Sequence, residues 1–312
     1  MSLSFPSGAV CSALILSLAC QTTSSCDKVG GSARATGVDA DRAWAHLEAQ
    51  VAFGPRPSGS AEIEACRKYL EAELKAIGFT PQRQSFKDKT PVGEIEFTNL
   101  WAEIPGTDPK QGWIVMGSHY DTKRMPFRFV GANDAASSTA LLLEVAREIH
   151  KGPRSPFTYR FVFFDGEEAT LPEWAGQDNT YGSRHHAAEL KRVGDHTLIR
   201  AFVLLDMVGD KDLRLTRDSY SDRRLIDCFF GAARKLGLGA HVDGKALEIR
   251  DDHLSFMAIG VPSIDLIDFE YGPHNSYWHT ADDVVANCSK ASLAIAGQIV
   301  MGGLVELEAL LR

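Results

Sequence analysis

Short apolar runs, Gly112 to Gly117, Tyr159 to Phe164, Ala201 to Leu205 and Val261 to Ile267, alternate along this chain with amphipathic stretches of helical length. Strands separated by helices pair through crossovers, and a crossover makes the pairing parallel. Runs this apolar suit strands that are covered on both faces. The pattern predicts an α/β fold: a single three-layer αβα domain with a mixed, mostly parallel central sheet and helices on both faces. Further strands are expected at Gln82 to Lys87, at Glu94 to Ile104 and near Ala240 to Val242. The helices fall at Glu62 to Ile77, stopped by Gly78, and at Ala135 to Ile149, closed by Gly152 and Pro153. Shorter helical patterns follow at Ser183 to Arg192, Arg223 to Leu236 and Asp252 to Ile259, and a last one runs from Ala291 to Leu311.

At 312 residues the chain is long enough for one large domain with a substantial core. A net charge of -8 disfavours nucleic acid as a partner, and basic pairs such as Lys191-Arg192 and Arg223-Arg224 read as solvated helix faces. Residues 1–36 differ in kind. Val10 to Ala19 is apolar but too short to span a bilayer, and a Ser/Thr/Gly-rich stretch follows it. This reads as an export leader and flexible tether ahead of a catalytic domain at 37–312. The expected location is periplasmic or on the outer surface. Leu18-Ala19-Cys20 resembles the end of a lipoprotein signal, so Cys20 is a possible lipid anchor, although no Lys or Arg precedes the apolar core. Of the six cysteines, Cys66, Cys228 and Cys288 lie in the domain; an odd number without Cys-x-x-Cys spacing favours small buried residues over a disulfide framework.

The chemistry concentrates where strands end. Glu167 and Glu168 follow Phe161-Val162-Phe163-Phe164 and the turn Asp165-Gly166. Adjacent side chains leaving a strand point different ways, so one can hold a metal while its neighbour moves a proton. In sheets of this type ligands bind outside the carboxyl ends of the strands. Glu167, Glu168, Asp206 and the group His119-Tyr120-Asp121 all fall there. Asp134 stands just ahead of a helix and His279 in a late loop. Asp134, Glu168 and His279 would supply the three protein ligands of a catalytic zinc site with an open position. Each also has a plain structural reading, as helix cap, surface acid and loop histidine. Unpaired carboxylates beside buried apolar segments would be costly, which favours the shared site.

Seven motifs in order carry a family resemblance: Gly117-Ser118-His119-Tyr120-Asp121-Thr122-Lys123, Gly131-Ala132-Asn133-Asp134, Phe163-Phe164-Asp165-Gly166-Glu167-Glu168-Ala169, Tyr181-Gly182-Ser183-Arg184-His185, Leu204-Leu205-Asp206, Asp251-Asp252-His253 and Trp278-His279-Thr280 with Asp282-Asp283. From about Asp39 to the C-terminus the chain resembles the zinc exopeptidase superfamily and, within it, the animal-type glutaminyl-peptide cyclotransferases. The resemblance implies one Zn2+ held by Asp134, Glu168 and His279, with Glu167 as general base and acid. It places Asp206 and Asp251 in an acid network that anchors the substrate amine, and Trp174 and Trp278 at the pocket wall. The implied substrates are peptides or proteins with N-terminal glutamine, and the enzyme is expected to act as a monomer. Ala169 to Trp174 and Asp268 to Tyr277 are longer than the family's usual segments, so a reshaped rim is expected.

The rival reading is an aminopeptidase of the same superfamily, in which two metals share a bridging aspartate. His119, Asp134 and Asp206 match its additional ligand positions, so residue type does not exclude it. Asp-Gly-Glu-Glu-Ala and Trp-His-Thr favour the cyclotransferase. His185, His186 and His253 lie in helix-like stretches and read as structural.

Overall fold

Asp39 and Ser60 open the first two helices by the same device. Each side chain accepts a backbone N–H of the first turn, from Arg42 at 3.0 Å and from Ile63 at 3.1 Å, which satisfies a donor that the helix itself leaves unpaired. The structure, a computed structural model, describes residues 36–312. In chain order these residues form α1 (Ala40–Ala52), α2 (Ala61–Ile77), β1 (Gln82–Thr90), β2 (Gly93–Ile104), β3 (Trp113–His119), α3 (Ser138–Lys151), β4 (Thr158–Phe164), α4 (Tyr181–Val193) and β5 (Ile199–Asp206). Then come β6 (Arg217–Asp218), α5 (Arg223–Lys235), β7 (Ala246–Leu247), α6 (His253–Met257), β8 (Ser263–Ile267) and α7 (Lys290–Leu311). Gly78 ends α2 in the left-handed region at φ 116°.

The main sheet runs in the order β1-β2-β4-β3-β5-β8. Its first two pairings are antiparallel and the rest parallel, as the mixed, mostly parallel expectation requires. β1 is an edge strand whose polar sequence leaves it largely exposed, and charges such as Lys87 and Asp88 protect that edge from pairing with other chains. The inner strands are covered on both sides. Along β3 and β5 the side chains alternate: Ile114, Met116, Val203 and Leu205 join the larger core with α1, α2, α3, α5 and α7, while Val115, Phe202 and Leu204 meet α4 and α6. α7 is long and apolar enough to cross a membrane, but more than half of its apolar stretch is buried, and it packs on α5 and α1 as a core helix.

Two details depart from the sequence reading. Ala240 to Val242 is no strand: Gly239–His241 forms a single 3-10 turn, and Val242 tucks into the core. A backbone hydrogen bond from the Leu215 N–H to the His241 carbonyl at 2.8 Å ties this turn to the neighbouring segment without making a strand of it. The helix expected from Ala135 begins only at Ser138, because residues 132–137 form a wider turn in which Asp134 departs from helical angles. Cys66, Cys228 and Cys288 are free thiols, and two of them are buried. The leader and Cys20 lie outside the described residues.

The topology also sets the position of the site. From β3 the chain crosses to β4 on one side, and from β5 it crosses to β8 on the other. Neighbouring strands whose connections leave in opposite directions open a crevice at their carboxyl ends. His119 ends β3 and Asp206 ends β5 at that crevice.

Candidate active site

Gly166 and Gly131 make the site's two backbone turns possible. Gly166 has φ 80°, and a Cβ there would lie 2.5 Å from the Phe97 ring; the turn delivers Glu167 and Glu168 back over the end of β4. Gly131 has φ 52°, and a Cβ would lie 1.9 Å from the Asp134 carbonyl oxygen, so the turn that presents Asp134 closes only around glycine.

These turns bring Asp134, Glu168 and His279 together, with ligand atoms all within 4.8 Å of one another. His279 Nε2 lies 3.3 Å from Asp134 Oδ2 and 3.2 Å from Glu168 Oε1. Neither oxygen of Glu168 accepts a hydrogen bond, although both are buried. Close approach without alignment is what groups show when they converge on a common centre rather than on each other. A second set shares Asp134: His119 Nε2 stands 3.2 Å from Asp134 Oδ1 and 3.3 Å from Asp206 Oδ1.

The electrostatics agree. Burial works against charge on His279, but Glu168 and Asp134 outweigh it and raise the imidazole to about 10. Burial likewise opposes charge on His119, and Glu167 with Asp121, Asp134 and Asp206 raises it well above its ordinary value. Asp134 goes the other way: its burial is more than offset by His119 and His279, which hold the carboxyl below the usual range. The acids draw positive charge from both imidazoles, and a divalent cation meets the same demand with the imidazoles neutral. Two carboxylates and an imidazole are a donor set that zinc accepts, so the residues fit the ion that the sequence implies.

Glu167 points elsewhere. Its Oε2 lies 3.9 Å from His119 Nδ1, and burial, opposed by His119 and reinforced by Asp251 and Glu168, pushes its carboxyl well above the ordinary glutamate range. It faces a pocket of about 210 Å3 whose walls include Trp174, Asp206, Asp251 and Trp278. Asp134, Glu168 and His279 line the same pocket, whereas His119 lies behind it. Trp278 stacks on His279 with ring centroids 4.1 Å apart. Asp206 accepts the Met207 N–H and Asp251 the Asp252 N–H. Burial pushes Asp251 up to about 7, helped by nearby Asp206.

Three supporting residues carry no role in the sequence reading. Asp121 accepts the N–H of Glu167 at 3.1 Å and of Glu168 at 3.2 Å, one oxygen to each. Asp283 does the same for Asn133 and Asp134. Lys123 is buried with its Nζ 3.5 Å from Glu168 Oε2. All three lie inside the quoted motifs, and a buried charge is the signal that would have marked them. The three histidines set aside in the sequence reading have partners of their own: His185 stacks on Phe86, and His186 Nδ1 meets Gln84 Oε1 at 2.8 Å. His253 is buried 3.2 Å from Asp218.

A mixed α/β sheet with a cation-demanding cluster at its carboxyl edge defines the class, and comparison with known proteins agrees with it: the chain belongs to Peptidase family M28, whose sequence model matches residues 99–303. Its similar proteins include several glutaminyl-peptide cyclotransferases. The chain is 33% identical over 267 residues to a glutaminyl-peptide cyclotransferase-like protein of Bos taurus, covering 74% of this chain and 67% of that one. It superposes on the crystal structure of an Acidobacteriales bacterium glutaminyl cyclase with a TM-score of 0.83 at 34% identity, covering 90% of this chain and 97% of the other. A Zn-dependent exopeptidase from Parabacteroides distasonis aligns with a TM-score of 0.76 at 28% identity, covering 86% and 98%.

Proposed function

We infer that this chain is a glutaminyl-peptide cyclotransferase, converting the N-terminal glutamine of peptides and proteins to pyroglutamate with release of ammonia. One observation carries the reading beyond the family: tandem Glu167 and Glu168 line one pocket walled by two tryptophans but keep different company, Glu168 beside His279 and Glu167 nearer His119. Asp134, Glu168 and His279 would hold one Zn2+, which when bound supplies a Lewis acid for the γ-carboxamide.

The substrate's own α-amine is the nucleophile. Asp206 and Asp251 line the pocket beside Glu167 and hold that amine near the carboxamide carbon, so the ring closes without a bimolecular encounter. Glu167 takes the proton that the amine loses as the C–N bond forms, then delivers it to the departing nitrogen, which leaves as ammonia. A carboxyl whose pKa is raised by burial is suited to both halves of that transfer. Trp174 and Trp278 enclose the glutamine side chain and keep out water, the competing nucleophile.

The test is product analysis by mass spectrometry on two peptides, one beginning with glutamine and one with leucine. Loss of ammonia from the first with the second intact supports cyclisation. Release of free leucine or glutamine would make the enzyme an aminopeptidase and would turn His119 and Asp206 into ligands of a second metal.

We further propose that residues 1–36 are an export leader, that 37–312 are the catalytic domain, and that the enzyme works as a monomer outside the cytoplasm, with Cys20 as the point of any lipid tether. The apolar run from Val10 to Ala19 supports the export part of this reading. Mass analysis of the mature N-terminus and sedimentation of the purified enzyme test it; a retained leader or a stable dimer would overturn the corresponding part.

A further inference from the structure

Beside the catalytic pocket lies a second depression of about 200 Å3, and the two share Trp174, Arg250 and Asp251 as walls. Its other walls are mostly polar: Gln177 and Asn179 ahead of α4, Arg184 in its first turn, and Ser255 on α6. Two guanidinium groups face it without an acid partner. Arg184 spends its donors on Gln177 and on the Asn179 carbonyl, so its charge is held in place but not neutralised. Arg250 is exposed and enters no hydrogen bond or ion pair among the described residues. Glu248, its near neighbour, instead accepts the Tyr220 hydroxyl at 3.2 Å. Among the described residues lining the depression the only acid is Asp251, which is buried and accepts the Asp252 N–H.

The cyclisation geometry connects the two cavities. The carbon that bears the reacting amine also bears the carbonyl leading to the second residue, and successive Cα atoms are about 3.8 Å apart. With the amine anchored at Asp206 and Asp251, residue two emerges beside Asp251, at the wall common to both depressions. We propose that the second depression receives the residue after the N-terminal glutamine and that Arg250 selects a carboxylate there, so that preferred substrates have an acidic second residue. This rests on the cyclotransferase reading. A concave site with unpaired positive charge attracts an anionic group and repels a cationic one.

The experiment measures ammonia release from Gln-Glu-Ala-amide, Gln-Ala-Ala-amide, Gln-Lys-Ala-amide and the free dipeptide Gln-Ala. The glutamate peptide is expected to exceed the alanine peptide in kcat/KM by about threefold, the scale of a partly exposed ion pair, mainly through KM, with the lysine peptide below both. The advantage should shrink in about 0.5 M salt. Arg250→Gln should bring the glutamate-to-alanine ratio close to one, and Arg250→Lys should retain most of it. Equal kcat/KM for the three amides, or a ratio unchanged in Arg250→Gln, would overturn the proposal. So would a gain confined to the free dipeptide, since the group recognised would then be a chain terminus. No ammonia from any of the four peptides would overturn the cyclotransferase reading itself.

Discussion

Asp283 grips Asp134 by its backbone: one carboxylate oxygen accepts the Asn133 N–H at 2.7 Å and the other accepts the Asp134 N–H at 3.2 Å. The Tyr271 hydroxyl donates to the same carboxylate at 3.2 Å. Asp283 thus fixes the turn that aims Asp134 at His279, and Asp121 fixes the Glu167-Glu168 turn in the same way. Each turn is held by an acid distant in sequence.

The first prediction follows from that grip. Asp283→Ala leaves two buried N–H groups without an acceptor and frees the turn that carries Asp134. Outer partners of metal ligands contribute roughly 10–100-fold to metal affinity. Competition with a chromophoric chelator should show a loss of that order, and an unchanged zinc affinity would remove Asp283 from any positioning role.

Glu167→Gln should reduce kcat by about 10²–10⁴-fold, because an amide neither takes nor returns the proton. Zinc content, read by atomic emission on dialysed protein, should stay at the wild-type level, since Glu167 is not among the three residues assigned as ligands. Substantial remaining turnover would reassign the proton transfer to another acid.

His279→Ala and Asp134→Ala should both lose zinc. A catalytic site keeps three protein ligands, and neither variant retains enough of them. The thermal midpoint of the wild type should rise on adding zinc, as binding to the folded state alone requires, while the variants' midpoints stay still. A variant that kept its zinc would break the ligand assignment.

His186 links stability to pH away from the active site. Burial, assisted by the positive charge of Arg160, lowers its pKa to about 3, below the ordinary imidazole value near 6.5. Between those values the unfolded chain binds more protons than the folded one, so the stability from this group rises with pH and is lost as pH falls below about 6.5. The slope is up to about 1.4 kcal/mol per pH unit. Urea titrations at several pH values should show the gap between wild type and His186→Gln narrowing as the solution is acidified; parallel curves would mean that His186 is protonated in the fold.

The sequence by itself determined most of the order of strands and helices along the chain and the acids that stand directly after buried strands. Both are local signals. Buried strands such as Tyr159 to Phe164 announce themselves by continuous apolar side chains, and Glu167, Glu168 and Asp206 announce themselves as acids placed directly after such strands. Where the local signal was short it misled: Ala240 to Val242 read as a strand, yet Val242 is buried beside a single 3-10 turn. Tertiary structure alone decided which residues brace the site and what adjoins it. Asp283 meets Asn133 from 150 residues further along the chain, Lys123 meets Glu168 in the interior, and Arg250 comes to a wall shared by two depressions only once α4, α6 and their loops have packed. A side chain's neighbours across the sheet depend on crossovers that no stretch of sequence encodes locally, so such roles emerge only when the whole core has closed.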